Sequence, residues 1–409
     1  MKKYIKRIAA FCGAAAFLML GAGLVLAKEL PDEFCVVEGN SLSFAGGLPL
    51  MATADGSVAA QTNLKAGLIY QSDLRLFGLI QIKDVKVNVV KAAYVLPGGE
   101  VFGVKLYTEG VMVIGMTDVD TPDGPDNPSY DAGIRKGDII IAINGKPVNS
   151  NGEVAAAFTG SGGKELRVSV KRGTTGFEVK VKPAMSDSQK TYKAGMWVRD
   201  STAGIGTITY YNPENSTFGG LGHAVCDIDT GEILPLLSGE AVKADLSDIL
   251  KSSKGRTGEL EGTLEENAVG SLLLNNQTGV FGILSSDMPT GESIPVAMCQ
   301  QVHTGAAKII STIDASGPHA YSVMIENVNY DGTTPTKNMV VKITDSVLIS
   351  KTGGIVQGMS GSPIIQDGRL AGAVTHVFVN DPLCGYGIFA ENMLNTAKIL
   401  ESSYTVNVS

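Results

Sequence analysis

The stretch Gly353-Gly354-Ile355-Val356-Gln357-Gly358-Met359-Ser360-Gly361-Ser362-Pro363-Ile364-Ile365 sets two serines in a glycine-rich turn ahead of an apolar run. Such a turn can project a hydroxyl into a cleft while backbone N–H groups converge on one point, and the Gly358 and Ser360 amides are placed to form that oxyanion site. Glycine on either side permits unusual dihedrals and close approach of a substrate carbonyl. Ser360 is the candidate nucleophile and Ser362 its competitor. A serine hydroxyl needs a base to take its proton, and the chain has four histidines, His223, His303, His319 and His376. His223 stands out in Phe218-Gly219-Gly220-Leu221-Gly222-His223-Ala224-Val225, where small neighbours let a second segment pack closely. His303 and His319 have no such setting and read as surface or structural residues. A structural loop and a satisfied structural histidine are the plain alternatives for Ser360 and His223.

The elements that must position these groups are mostly strands. Fifty glycines, roughly 12% against a usual ~7%, with aromatic residues at 6%, point to many tight turns between short strands. Over residues 29–100 apolar and polar residues alternate, as in Ile80-Gln81-Ile82-Lys83 and Val85-Lys86-Val87-Asn88-Val89. The apolar phase shifts near Lys83-Asp84, which predicts a bulge or turn there. Leu96-Pro97-Gly98-Gly99 is a turn signal and a candidate boundary. Residues 101–185 form a second unit, with a helix predicted near Val154 to Phe158 and a closing strand from Leu166 to Arg172. Residues 186–409 form a third β-rich unit, suited to a two-barrel or sandwich architecture. Helical spacing is expected there at Val242, Leu246, Ile249 and Leu250, and at Met393, Ala397 and Leu400. The acidic insert Asp118-Val119-Asp120-Thr121-Pro122-Asp123 lacks the glycine and bidentate glutamate of a calcium loop and reads as solvated.

Composition narrows the function. The 409 residues are 44% hydrophobic and 18% charged with a net charge of −8, so the basic footprint of a nucleic-acid binder is missing. The five cysteines, Cys12, Cys35, Cys226, Cys299 and Cys384, never form a CxxC, which disfavours zinc and dithiol redox sites and leaves disulfide pairing open. No metal or cofactor is implied. Lys2, Lys3, Lys6 and Arg7 precede an uncharged run from Ile8 to Ala27, whose twenty residues at 1.5 Å each span about 30 Å, a bilayer core. Residues 1–28 are therefore expected to enter a membrane with the basic flank cytoplasmic and the rest exported, as an anchor or a cleaved signal.

Two resemblances sharpen this. Ala132-Gly133-Ile134 with Lys136-Gly137-Asp138-Ile139-Ile140-Ile141-Ala142-Ile143-Asn144-Gly145 resembles the core of PDZ domains. The resemblance implies a peptide added to a sheet edge, its carboxylate held by the loop Gly103-Val104-Lys105-Leu106. The Ser360 turn, followed by a hairpin and a further strand, resembles the nucleophile turn of chymotrypsin-like serine proteases, in which His376 of Thr375-His376-Val377-Phe378 falls where those enzymes place substrate-pocket strands. Together Gly219-Gly220-Leu221-Gly222-His223-Ala224-Val225, Gly358-Met359-Ser360-Gly361-Ser362-Pro363 and the tail Gly372 to Ile388 resemble the stage IV sporulation protein B peptidases. That resemblance implies a mainly β chain with a chymotrypsin-like, β-barrel peptidase domain, a PDZ domain and an N-terminal span. It further implies a serine endopeptidase secreted into the forespore intermembrane space, which cleaves the regulatory partner of an intramembrane metalloprotease and cuts itself near its N-terminus. The triad it implies is His223, Asp345 and Ser360. Asp227 and Asp229, near His223 in sequence, are alternatives for the acid, and Asp345 itself has an alternative reading as a residue capping the turn before Ser346. The rival function is a non-catalytic PDZ scaffold that recruits membrane partners.

Overall fold

Period-two patterning becomes strand almost throughout the computed structural model, which describes residues 23–46, 49–54, 64–285, 287–330 and 333–407, with positions 4, 7, 17 and 21 singly. Most of the apolar run expected to enter a membrane, and Cys12 with it, lies outside the described residues. No described helix is long and apolar enough to cross a membrane. The four described cysteines are all free thiols.

The first strands, β1 (Glu33–Val37), β2 (Leu50–Ala54), β3 (Ile69–Leu76) and β4 (Ile80–Val90), form a sheet of order β1-β4-β3-β2. Val85, Val87 and Val89 point together into its core. The predicted phase shift is a bulge: the register slips where Leu74 faces Lys83 and Arg75 faces Gln81, leaving Ile82 over.

After β5 (Tyr94–Pro97), the long strand β6 (Val101–Met116) enters two structures at once. Its second half joins the PDZ-like unit, which runs through β7 (Val119–Thr121), β8 (Gly124–Asp126), the helical turn Pro128–Asp131, β9 (Ile139–Ile143), β10 (Lys146–Pro147), the helix Asn151–Thr159, β11 (Leu166–Arg172) and β12 (Thr175–Val181). That helix begins with a capping box, Ser150 and Glu153 satisfying each other's backbone amides. The Lys136-Gly137-Asp138 motif has a structural purpose here. Asp138 is fully buried, accepts from the Arg135 amide at 2.8 Å, and takes Arg172 Nε and Nη2 at 2.6 and 2.8 Å, which ties the turn before β9 to the end of β11.

The chain continues through β13 (Ala184–Met185), β14 (Tyr192–Lys193), β15 (Met196–Asn212), β16 (Thr217–Gly220), β17 (Leu236–Leu250), β18 (Glu259–Asn276), β19 (Gly279–Leu284) and β20 (Ile294–Pro295). Strand β6 pairs with β17 on one edge and β15 on the other, so β6-β17-β18-β19-β16-β15 closes into a ring around Phe102, Ile208, Phe218, Leu272 and Val280. A second closed barrel follows, β21 (Gly305–Thr312), β22 (Pro318–Val328) and β23 (Met339–Ile343) with β24 (Pro363–Gln366), β25 (Arg369–Phe378) and β26 (Asp381–Phe389), in the order β21-β22-β23-β26-β25-β24. The C-terminal helix Ala390–Asn407 packs Met393 and Ala397 on it, as their spacing predicts, with Leu394 beside them, while the Leu400 side chain lies outside the described residues.

Two expectations are corrected. Val242, Leu246, Ile249 and Leu250 lie on β17, not on a helix, because the ladder with β18 decides the conformation of that segment over its local spacing. Gly103-Val104-Lys105-Leu106 is not a ligand loop. It lies mid-β6, paired with Thr202–Ile205 on one side and with Gly239–Val242 on the other, so its backbone groups are spent on the sheet.

Replacing Asp138 by Ala leaves the Arg172 guanidinium and the Arg135 amide without their acceptor. It is expected to cost about 1–3 kcal/mol, read by denaturant unfolding followed by Trp197, the single tryptophan.

Candidate active site

The histidine arm leaves β16 through two consecutive left-handed residues, Leu221 at φ +64° and Gly222 at φ +67°. This turn swings His223 out of the first ring toward the second barrel. The imidazole Nδ1 lies 2.8 Å from the Ala224 carbonyl oxygen. A carbonyl can only accept, so Nδ1 carries the hydrogen and Nε2 presents its lone pair. Burial pushes the His223 pKa below its ordinary 6.5, opposed in part by the Ala224 carbonyl.

The serine arm leaves the helix Ser346–Thr352 and reaches the turn before β24. Strand β15 clamps that turn from below: Thr207 Oγ1 donates to Gly358 O at 2.7 Å, Thr209 Oγ1 to Gly361 O at 2.7 Å, and Thr207 N to Ser360 O at 2.9 Å. Gly361, at φ +97°, sits so close that a Cβ there would lie 1.9 Å from the Thr207 carbonyl oxygen, so glycine is obligatory on both conformational and steric grounds. The neighbouring amides of Met359, Gly361 and Ser362 are spent on Val356, Val374 and Met359 carbonyls. Those of Gly358 and Ser360 donate to no acceptor among the described residues, which leaves both available to a ligand oxygen. Ser362 is fully buried and donates to Ser311 Oγ at 3.0 Å, so it is withdrawn from the cleft.

Between ring and barrel lies a cleft of about 450 Å³ that brings His223, Ser360, Gly358 and His376 together against Ile355, Val356 and Val377. Ser360 Oγ donates to the Thr375 carbonyl at 2.7 Å rather than to an imidazole, so transfer of its proton to His223 requires rotation about its side-chain torsion. His376 rests against His223, ring centroids 4.9 Å apart. Its pKa is pushed down to about 4 by burial first, then by repulsion from His223 and Lys337.

Asp345 is not in this cleft. It caps the helix Ser346–Thr352, accepting from the Val347 and Leu348 amides at 3.0 and 3.1 Å through one oxygen and from the Ser322 amide at 3.3 Å through the other. Asp227 and Asp229 both pair with Arg199 of β15. His303 binds Asp367 and His319 binds Ser316, and neither lines the cleft. The group that orients His223 is a main-chain carbonyl, and side-chain identities carry no signal for it. No cluster of metal-ligating side chains occurs among the described residues.

A second cavity, about 540 Å³, lies between the helix Asn151–Thr159 and the start of β15, lined by Val154, Phe158, Met196, Trp197 and Val198. This groove, not the Gly103–Leu106 segment, is the exposed strand edge of the PDZ-like unit. The turn into it at Gly195 has φ +78°.

Three outcomes follow from this geometry. Asp345→Asn keeps a good N-cap and is expected to leave turnover within about tenfold of wild type, whereas an aspartate acting on the histidine loses roughly 10⁴-fold on this change; steady-state kinetics on one peptide separates them. Gly361→Ala is expected to destabilise the fold by about 1–3 kcal/mol in denaturant unfolding. Because a general base works only when neutral and the His223 pKa is lowered, kcat/KM is expected to hold as pH falls through 6.5 and to decline only below it.

Residues 190–394 match the SpoIVB peptidase S55 family, and residues 124–172 match the PDZ domain family. Among characterised proteins, the serine protease HTRA1 of Xenopus laevis is 41% identical over 59 residues, 14% of this chain, and the chain spans only 12% of that protein's length. Among solved structures, the PDZ domain of the SdrC-like protein from Listeria monocytogenes is similar over 22% of this chain and 87% of its own, at 24% identity and a TM-score of 0.19. With the histidine arm, the serine turn and the whole second barrel inside the first of these matches, the chain belongs to the SpoIVB peptidase S55 family.

Proposed function

We propose that this chain is a serine endopeptidase of chymotrypsin-like design whose nucleophile is Ser360 and whose base is His223. One observation carries the reading: a serine and a Nδ1-protonated histidine face one cleft from two separate barrels, beside two amides with no acceptor among the described residues. Ser360 Oγ turns from Thr375, attacks a peptide carbonyl carbon, and passes its proton to His223 Nε2. The tetrahedral oxyanion is held by the Gly358 and Ser360 amides. Collapse breaks the C–N bond, with the imidazolium giving its proton to the departing amine. Water then hydrolyses the ester, activated by the same histidine. The Ala224 carbonyl does what a carboxylate does elsewhere: it fixes the tautomer. The Thr375 carbonyl, freed by the departing hydroxyl, is placed to accept an N–H from the substrate backbone.

The family's name supports a role in sporulation. On that ground we assign as substrate a membrane-associated regulator of an intramembrane metalloprotease, with self-cleavage near the N-terminus. We also place the enzyme on the exported side of the cytoplasmic membrane, held or delivered by residues 1–28. The groove beside Trp197 supports docking of a peptide from the protein partner.

A fluorophosphonate probe is expected to label the wild-type protein at Ser360. Ser360→Ala is expected to lose labelling and, on the scale seen in other serine peptidases, roughly 10⁶-fold in kcat, with stability changed by less than about 0.5 kcal/mol. A folded wild-type protein that takes no label at Ser360 is a scaffold, the rival reading.

A further inference from the structure

The two edges of β15 have different fates. One is paired with β6 from Met196 to Thr207, the register slipping between Trp197 and Val198 and again at Asp200. On the other, β16 takes up pairing only from Ile208. At Thr207 that second edge holds the catalytic arms themselves, its N–H donating to Ser360 O at 2.9 Å and its carbonyl accepting from the Leu221 amide at 3.2 Å. From Met196 to Gly206 it has no strand partner among the described residues. Outward-facing residues alternate along an antiparallel ladder. Thr207 faces outward, so Ile205 and Ala203 do too, each with an N–H and a C=O that no neighbouring strand uses, and both residues line the active-site cleft. At the other end Met196, Trp197 and Val198 line the groove under the helix Asn151–Thr159. One unpaired edge therefore runs from the groove to Ser360.

We propose that a single extended stretch of the substrate polypeptide adds to this edge as a strand, with one end in the groove and its scissile bond at Ser360. The inference rests on the peptidase reading and specifies how that enzyme takes its substrate. An open edge is a template for an extended chain, whose main-chain groups supply the bonds the edge lacks. The edge continues into the cleft that holds the nucleophile, so the chain lying on it is the chain to be cut rather than a separate ligand. Among the residues lining the catalytic cleft no side chain is acidic or basic apart from the two histidines, whereas the groove also carries Asp118, Asp120 and Lys193. The residues flanking the scissile bond are accordingly uncharged. From Met196 to Thr207 at about 3.3 Å per residue the edge measures about 35 Å, so about ten substrate residues separate the docked end from the bond that is cut. At Asp200 the ladder slips, and its carboxylate accepts from the Asn151 amide at 2.8 Å, fastening the groove's helix to the strand.

The test uses a random library of 16-residue peptides and the full-length protein. The best-cleaved peptide is resynthesised with each backbone amide N-methylated in turn. Strand addition predicts that, in the segment facing Ala203 and Ile205, every second N-methyl group raises KM at least tenfold while those between have no effect. It also predicts that the Ser360→Ala protein binds the unmodified peptide with a change in Trp197 fluorescence that truncating the distal end of the peptide abolishes. Cleavage with no period-two effect overturns strand addition and leaves the peptidase reading standing. Cleavage of no library member overturns the peptidase reading, and the proposal with it.

Discussion

The structure depends on the contact between β15 and the serine turn. Two threonine hydroxyls and one amide of that strand hold three carbonyls of the turn, those of Gly358, Ser360 and Gly361. The clamp spends the turn's carbonyls from one side, which leaves the Gly358 and Ser360 amides facing the other. A catalytic turn in the left-handed region at two glycines is not stable by itself, and the packed strand beneath it over-determines its shape. The clearance at Gly361 measures how tightly this is done, since even a methyl group has no room there.

Strand β15 also explains why the first ring, the PDZ-like unit and the second barrel behave as one molecule. It pairs with β6, which contributes to the first ring and the PDZ-like unit. It carries Arg199, whose guanidinium meets Asp227 and Asp229 just beyond His223. It underlies the serine turn of the second barrel. The acids expected to serve catalysis are thus used structurally, Asp227 and Asp229 in locating the histidine arm and Asp345 in starting the helix that leads to the nucleophile. Orientation of the base falls to the Ala224 carbonyl, which is fixed by the backbone and needs no buried charge.

The paired imidazoles give the cleft its electrostatic character. Two rings with centroids 4.9 Å apart disfavour a second positive charge. With the His376 pKa pushed down to about 4, only His223 is required to ionise in the working range. An imidazolium formed there during acyl transfer then faces a neutral neighbour.

What could be read from the chain was local. Glycine-flanked Ser360, the cushioned His223, the Lys136-Gly137-Asp138 turn, the bulge near Lys83 and the C-terminal helix each follow from residue types at short spacing, because turn geometry and side-chain periodicity are properties of a few neighbours. Tertiary structure alone decided matters that depend on partners distant in sequence. Gly103–Leu106 reads as a glycine-containing loop until β15 and β17 take both its edges. Val242 to Leu250 has helical spacing until β18 pairs with it. Asp345 lies 15 residues before Ser360 in the chain, yet its carboxylate is spent on the amides that begin the next helix. The carbonyl that orients His223, and the open edge of β15, belong to the backbone, which is chemically the same at every position; only the closing of the sheets determines which of its groups remain unpaired.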